Sequence, residues 1–219
     1  MHKIQILIVD DHPIVRRGLA DLFRDEPDMN VVGEAATSPD AMAIAAKTNP
    51  DVAIVDLILG DEDGMNLVSE LSKSYPKTRT LVLSSQDEWL YAERALKAGA
   101  AGYVMKDTGA DALLQAIRRV ASGKTYVSAA AAERIVEAAG SSSERSAFDR
   151  LTNRERHVFA LLGRGLSTRE IAETMNISHK TIETHLAHLK DKLGALNGRE
   201  LMRMAVMWSE RTGPTGDER

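Results

Sequence analysis

IQILIVDDHP, residues 4–13, sets the problem: a run of buried-type residues, Ile4 to Val9, stops on two adjacent carboxylates, Asp10 and Asp11. Similar short apolar runs recur at Val31–Val32, Val52–Val55, Leu81–Leu83 and Tyr103–Met105. Each is too short for a helix and mostly β-branched or aliphatic. Between them lie stretches with helical character: Pro13–Phe23, Asp40–Lys47, Met65–Lys73, Trp89–Lys97 and Asp111–Val120. Strands alternating with helices predict βαβ units and a parallel sheet covered on both faces. Five such repeats predict one α/β domain, a doubly wound, flavodoxin-like five-stranded parallel sheet of order 2-1-3-4-5.

Sites in such sheets form at the carboxyl ends of the strands. The first strand ends in Asp10 and Asp11, the third reaches Asp56, the fourth ends at Ser84 and the fifth at Lys106. Three acids, a hydroxyl and an amine are thus predicted to converge on one rim. Carboxylates about 4 Å apart repel by roughly 4 kcal/mol at an effective dielectric of 20. A hard divalent cation relieves that repulsion, and Mg²⁺ prefers a few carboxylates with water and a phosphate. The set suits phosphoryl transfer to a carboxylate, where positioning and charge neutralisation do most of the catalysis. A lone Asp after a strand is ordinarily a cap or turn residue; the weight lies in all five falling at strand ends. The acids of GDEDG, Asp61, Glu62 and Asp63, read as a solvated loop.

The 219 residues contain no cysteine, which excludes a disulfide framework and thiolate metal sites. No stretch approaches the ~20 apolar residues of a membrane span, and the start does not read as a signal peptide, so no membrane partner and a cytoplasmic location are expected. Residues 1–140 carry 15 Lys+Arg against 21 Asp+Glu; residues 141–219 carry 13 against 11 and four of the six histidines. An acidic half joined to a mildly basic one suggests two domains with different partners.

The stretches ILIVDDHPIVRRGL, PDVAIVDLILGDEDG, TLVLSS and KAGAAGYVMK make residues 1–125 resemble the receiver domain of a two-component response regulator. The resemblance implies that Asp56 is the phosphoacceptor. It implies that Asp10, Asp11, Asp56 and the backbone carbonyl of Ile58 hold Mg²⁺, and that Ser84 and Lys106 hold the phosphoryl group. Ser84 and Tyr103 match the family's switch pair, the aromatic ring turning inward as Ser84 moves toward the phosphate. By the same resemblance, Ile58 and Gln86 occupy positions that influence the dephosphorylation rate in the family. Gly60 stands where the family often has proline, and Asp107 where proline commonly follows the lysine, so a cis peptide is less expected there.

In the second half Thr152 with Glu155, and Ser167 with Glu170, read as capping boxes opening two helices. Ser178 caps a third helix, whose inward face is Ile182, Leu186, Leu189 and Leu193 at helical spacing. A fourth runs from about Arg199 to Glu210. Two helices joined by a turn near MNIS form a helix-turn-helix, whose second helix can enter the major groove. Four such helices would also suit a protein-interaction bundle.

Residues 151–208 resemble the LuxR-type DNA-binding domain of NarL/FixJ-type response regulators, through LTNRERHVFALLGRGLSTREIAETMNISHKTIETHLAHLKDKLGALNGREL. The resemblance implies that Thr168, Arg169, Ser178, Lys180, Thr181, His185 and Lys192 contact phosphates or frame the recognition helix. Glu183, Thr184, Ala187 and His188 lie where the family reads bases. Many relatives place lysine at the position of Glu183. Gly198 replaces a common arginine, and the fourth helix corresponds to the family's dimer helix.

The expected organisation is a receiver over 1–125, a linker with a short helix over 126–148, an all-α four-helix DNA-binding domain over 149–211 and a disordered tail over 212–219. The expected function is that of a phosphorylation-switched transcriptional regulator rather than an enzyme. A sensor histidine kinase supplies the phosphoryl group, double-stranded DNA is the target, and a homodimer is expected when phosphorylated or DNA-bound. One alternative is a phosphorylation-independent regulator using its receiver for protein contact. Another is a small-metabolite phosphatase, which would want a second acid two residues after the nucleophile, where Ile58 stands.

Overall fold

The computed structural model describes residues 3–60, 62–86, 88–140 and 150–212, which fall into two compact units, Met1–Ser141 and Ser142–Arg219. The first unit opens with β1 (Ile4–Val9), α1 (Pro13–Arg24), β2 (Met29–Ala35), α2 (Ser38–Thr48) and β3 (Val52–Val55). A two-residue hairpin follows, β4 (Ile58–Leu59) and β5 (Glu62–Asp63), leading into α3 (Gly64–Ser74). Then come β6 (Arg79–Ser84), α4 (Glu88–Lys97), β7 (Gly102–Met105), α5 (Ala110–Ala121) and α6 (Ala129–Gly140).

The main sheet is wholly parallel, in the order β2-β1-β3-β6-β7, which is the doubly wound order expected. Helices cover both faces, so Ile6–Val9, Val52–Val55 and Leu81–Val82 are almost inaccessible to water. Burial on both faces is why these strands read as continuous apolar runs rather than alternating ones. One core joins Ile6, Ile8, Ile54 and Leu81 to Phe23 of α1 and to Leu113, Ile117 and Val120 of α5.

Over the GDEDG acids, where a solvated loop is expected, Glu62 and Asp63 are instead half-buried and each accepts a hydrogen bond. The β4–β5 hairpin turns at Gly60, whose φ of +56° suits glycine and excludes the proline common in the family. The Asp63 carboxylate caps α3 by accepting from the Met65 N–H, 3.0 Å, and Glu62 accepts from the Ser38 N–H at the start of α2, 2.9 Å. Asp61 lies outside the described residues. Gly64, opening α3, packs so tightly on the backbone just after β3 that a Cβ would lie 2.1 Å from the Asp56 carbonyl oxygen. No peptide bond among the described residues is cis.

The second unit contains α7 (Asn153–Gly163), α8 (Thr168–Thr174), α9 (His179–Leu193) and α10 (Gly198–Thr212). Both capping boxes form: the hydroxyls of Thr152 and Ser167 accept from the N–H groups of Glu155 and Glu170, whose carboxylates accept in return from Thr152 and Ser167. Ser178 caps α9 through the Thr181 N–H, 3.1 Å. Val158, Phe159, Leu162, Ile171, Ile182, Leu189, Leu201 and Ala205 form the core. Trp208 of α10 meets Phe159 edge to face, centroids 5.4 Å apart. The Gly140–Ser143 joint beyond Gly140 and the tail beyond Thr212 lie outside the described residues.

Candidate phosphoacceptor site and recognition helix

The register of the parallel sheet brings the strand ends of the first unit to one rim. Asp56 follows β3, its N–H donating to the Val9 carbonyl, and the Lys106 N–H donates to the Ser84 carbonyl. Asp10 and Asp56 are only 2 % and 5 % exposed, and Ser84 only 1 %. Asp56 Oδ1 accepts from Ser84 Oγ at 3.0 Å and Oδ2 accepts from Lys106 Nζ at 2.6 Å. The same ammonium donates to Asp10 Oδ2 at 2.5 Å. Asp10 Oδ1 accepts from the His12 N–H at 2.8 Å, and Asp11 Oδ2 accepts from the Gly60 N–H at 2.9 Å. That last bond is unavailable to a proline.

Two buried carboxylates therefore share one ammonium. Burial pushes the Asp56 carboxyl above its ordinary pKa; Lys106 opposes this, and Asp10 adds to it. Burial alone would lower Lys106, but Asp56 and Asp10 outweigh it and raise it. The lysine is thus held as a cation against a carboxylate that is poorly solvated, the condition for a reactive oxygen nucleophile.

Asp10, Asp11, His12 and Asp56 each offer a ligand atom within 4.8 Å of one another, the one such group among the described residues. Asp11 Oδ1 is buried without a hydrogen bond, facing the His12 Nδ1 at 2.7 Å. An oxygen-rich acidic pocket of this kind fits a hard divalent cation. Ile58, two residues beyond Asp56, is half-buried, and its N–H lies 3.4 Å from Asp56 Oδ1.

Tyr103 is fully buried, its hydroxyl donating to the Gln86 carbonyl at 2.9 Å. Burial raises its pKa well above the ordinary value. The Gln86 N–H reaches Ser84 Oγ at 3.4 Å, so Asp56, Ser84, Gln86 and Tyr103 are joined without a break.

In the second unit α8 and α9 meet through Met175–Ser178, with Asn176 left-handed at φ +51°. This is a helix-turn-helix. Arg169, Ser178, Lys180, Thr181, Glu183, Thr184, Ala187 and His188 are exposed, while Thr168, His185 and Lys192 are half-buried. Lys192 is engaged internally: its Nζ donates to Glu155 Oε2 at 2.7 Å. Glu155 is 2 % exposed, and His188 Nδ1 lies 3.7 Å from its Oε1. Burial would raise Glu155, but Lys192 and Thr152 more than offset it, so its pKa is lowered. One buried carboxylate therefore caps α7 and ties down α9 across the core. The sequence shows the cap but not the tie, because Glu155 and Lys192 meet only after the helices pack.

The chain matches the response regulator receiver domain over residues 6–118 and the bacterial regulatory proteins of the luxR family over residues 149–205. It is 34 % identical over 215 residues to the DNA-binding transcriptional activator DevR/DosR of Mycobacterium tuberculosis, covering 98 % of this chain and 99 % of that protein. It is also 34 % identical over 210 residues to the oxygen regulatory protein NreC of Staphylococcus aureus, covering 93 % and 97 %. Among solved structures, RcsB from Salmonella enterica serovar Typhimurium, bound to promoter rprA with the phosphomimetic BeF3⁻, superposes with a TM-score of 0.58 at 26 % identity, covering 94 % of this chain and 99 % of that one. A receiver sheet joined to a LuxR-type helix-turn-helix defines a class, the DNA-binding regulators of two-component systems. The chain belongs to the NarL/FixJ-type response regulators within it, as a phosphorylation-switched transcriptional regulator. No described helix is long and apolar enough to cross a membrane.

Proposed function

We propose that Asp56 is the phosphoacceptor and that residues 1–125 catalyse their own modification, a sensor histidine kinase being the donor. An Asp56 carboxylate oxygen attacks the phosphorus of a phosphohistidine, the P–N bond breaks, and the imidazole leaves. The observation that carries this reading is the convergence on Asp56 of Lys106 and Ser84, at 2.6 and 3.0 Å. Lys106 neutralises charge on the incoming phosphoryl oxygens and Ser84 donates to one of them. Asp10, Asp11, Asp56 and the Ile58 carbonyl would hold Mg²⁺, which when bound supplies further neutralisation of phosphoryl charge. The new dianion draws Ser84 and the stretch up to Gln86, whose carbonyl holds the hydroxyl of the already buried Tyr103.

The second half, 149–211, is the DNA-binding domain, joined by a linker over 126–148 and followed by a tail over 212–219. Thr168, Arg169, Ser178, Lys180, Thr181, His185 and Lys192 contact backbone or frame α9, and Glu183, Thr184, Ala187 and His188 read bases. RcsB dimers have been solved on DNA; a homodimer through α10, where Met207 is half exposed, is the corresponding assembly here. The location is cytoplasmic.

The test is mass spectrometry after incubation with a small phosphodonor and Mg²⁺. A base-labile phosphoryl group on Asp56, absent from Asp56→Asn, is expected. An adduct on another residue would overturn the assignment.

A further inference from the structure

The linker helix α6 carries only half of a capping box within its own sequence. Ser128 is its N-cap: Ser128 Oγ accepts from the Ala131 N–H at 3.1 Å, and the Ser128 carbonyl from the Ala132 N–H at 3.0 Å. In a capping box the third helical residue returns a carboxylate to the N-cap N–H. Here that residue is Ala131, which has none. The carboxylate comes instead from α4: Glu88 Oε1 accepts from the Ser128 N–H at 2.8 Å. The two helices pack together, with Ala131 3 % exposed. At 12 residues α6 is at the margin of what stands alone in water, so this docking matters to it.

A second tether holds the start of the linker to the sheet. The Tyr103 N–H donates to the Tyr126 carbonyl at 2.8 Å, and the Tyr126 N–H to the Ala101 carbonyl at 3.1 Å. Tyr126 thus extends the sheet beyond β7 as a parallel bridge to Gly102. The linker is therefore pinned at two points. One is β7 itself. The other is Glu88, two residues beyond Gln86 and four beyond Ser84, the hydroxyl bonded to Asp56.

We propose that Glu88 is a positioning residue that makes the cap of α6 depend on the state of Asp56. The inference rests on the phosphoacceptor reading above. A phosphoryl group on Asp56 draws Ser84, and the chain from Ser84 to Glu88 moves with it. Tyr126 stays with β7. The Glu88–Ser128 bond sits at an optimal length, so relative displacement of its ends weakens it. The first turn of α6 then loosens, and the signal leaves the receiver along the segment that continues toward the DNA-binding half. The Tyr103–Gln86 bond, by contrast, links the same stretch to β7 and limits how far it travels.

The test is hydrogen exchange on the full chain, with and without beryllofluoride and Mg²⁺. In the wild-type protein beryllofluoride should speed exchange across residues 128–132 about fivefold, the net worth of one hydrogen bond. Glu88→Ala should show that faster exchange without beryllofluoride and gain little from it; Glu88→Gln, which keeps a neutral acceptor, should fall between. Phosphoryl uptake at Asp56 should be unchanged in both. If residues 84–86 respond to beryllofluoride while 128–132 do not, the coupling is overturned. Unaltered protection of 128–132 in Glu88→Ala would overturn it equally. If neither segment responds in the wild type, the phosphoacceptor reading falls and takes the coupling with it.

Discussion

Single atoms limit what this chain tolerates around Asp56. The Gly64 Cα faces the Asp56 carbonyl, and an added Cβ at 2.1 Å would displace the Asp56 backbone or α3. Gly64→Ala is therefore expected to slow phosphoryl uptake by at least about tenfold, since a 1 Å misplacement can cost two decades in rate. Stopped-flow measurement with a small phosphodonor checks this. In the second unit His157 is held to a pKa of about 4 by burial and by Arg154 and Arg164. Its unfolded value is near 6.5, so the unfolded chain binds the proton more readily. Stability is then complete above pH 6.5 and is lost as pH falls toward 4. Between pH 7 and 5 the loss should be about 2 kcal/mol. Urea unfolding followed by Trp208 fluorescence in a Trp89→Phe background should show this slope, and His157→Gln should flatten it.

Among the elements, α9 combines two jobs on opposite faces. Ile182, Leu189 and Leu193 are buried in the core, while Lys180, Glu183, Thr184 and His188 face outward. Lys180 is exposed at the first turn, beside the capped N-terminus, where a phosphate is favoured by the free N–H groups and the helix dipole. DNA binding should weaken steeply with salt, and Lys180→Ala should flatten the log–log slope by about 0.9 while affecting all sequences alike. His188→Ala should change base preference instead. Fluorescence anisotropy across a salt series separates the two. The Lys192–Glu155 tie sets the standard for its neighbours: a lysine committed to a buried carboxylate orients the helix and is less available to a phosphate.

At the scale of the whole molecule, two cores built from separate stretches of sequence imply two separable folding units. Residues 1–140 alone should fold cooperatively and take up a phosphoryl group at Asp56. Residues 145–219 alone should melt cooperatively and keep salt-dependent DNA binding. Circular dichroism melts of the two fragments would show it; a fragment without a cooperative transition would mean its core is incomplete.

Most of this architecture was legible because it is local or periodic. The run Ile4–Val9 ending on Asp10, the capping residues Thr152, Ser167 and Ser178, and the 3.6-residue repeat of α9 act within a few residues of themselves. Strand ends also predict their rim, since a parallel sheet brings all carboxyl ends to one side. What the sequence could not display are partnerships between distant residues whose meeting depends on packing. Gly60 donating to Asp11, Glu155 holding Lys192 and Glu88 capping Ser128 are separated by 49, 37 and 40 residues. Acids that look alike in GDEDG acquired distinct duties, Asp63 as a helix cap and Glu62 as a tie to α2, because the hairpin at Gly60 turned each toward a different N–H. Residue type and spacing determined which groups were present and at which strand or helix end. Only the tertiary structure decided which donor each carboxylate meets, because a hydrogen bond depends on tenths of an ångström that periodicity does not encode.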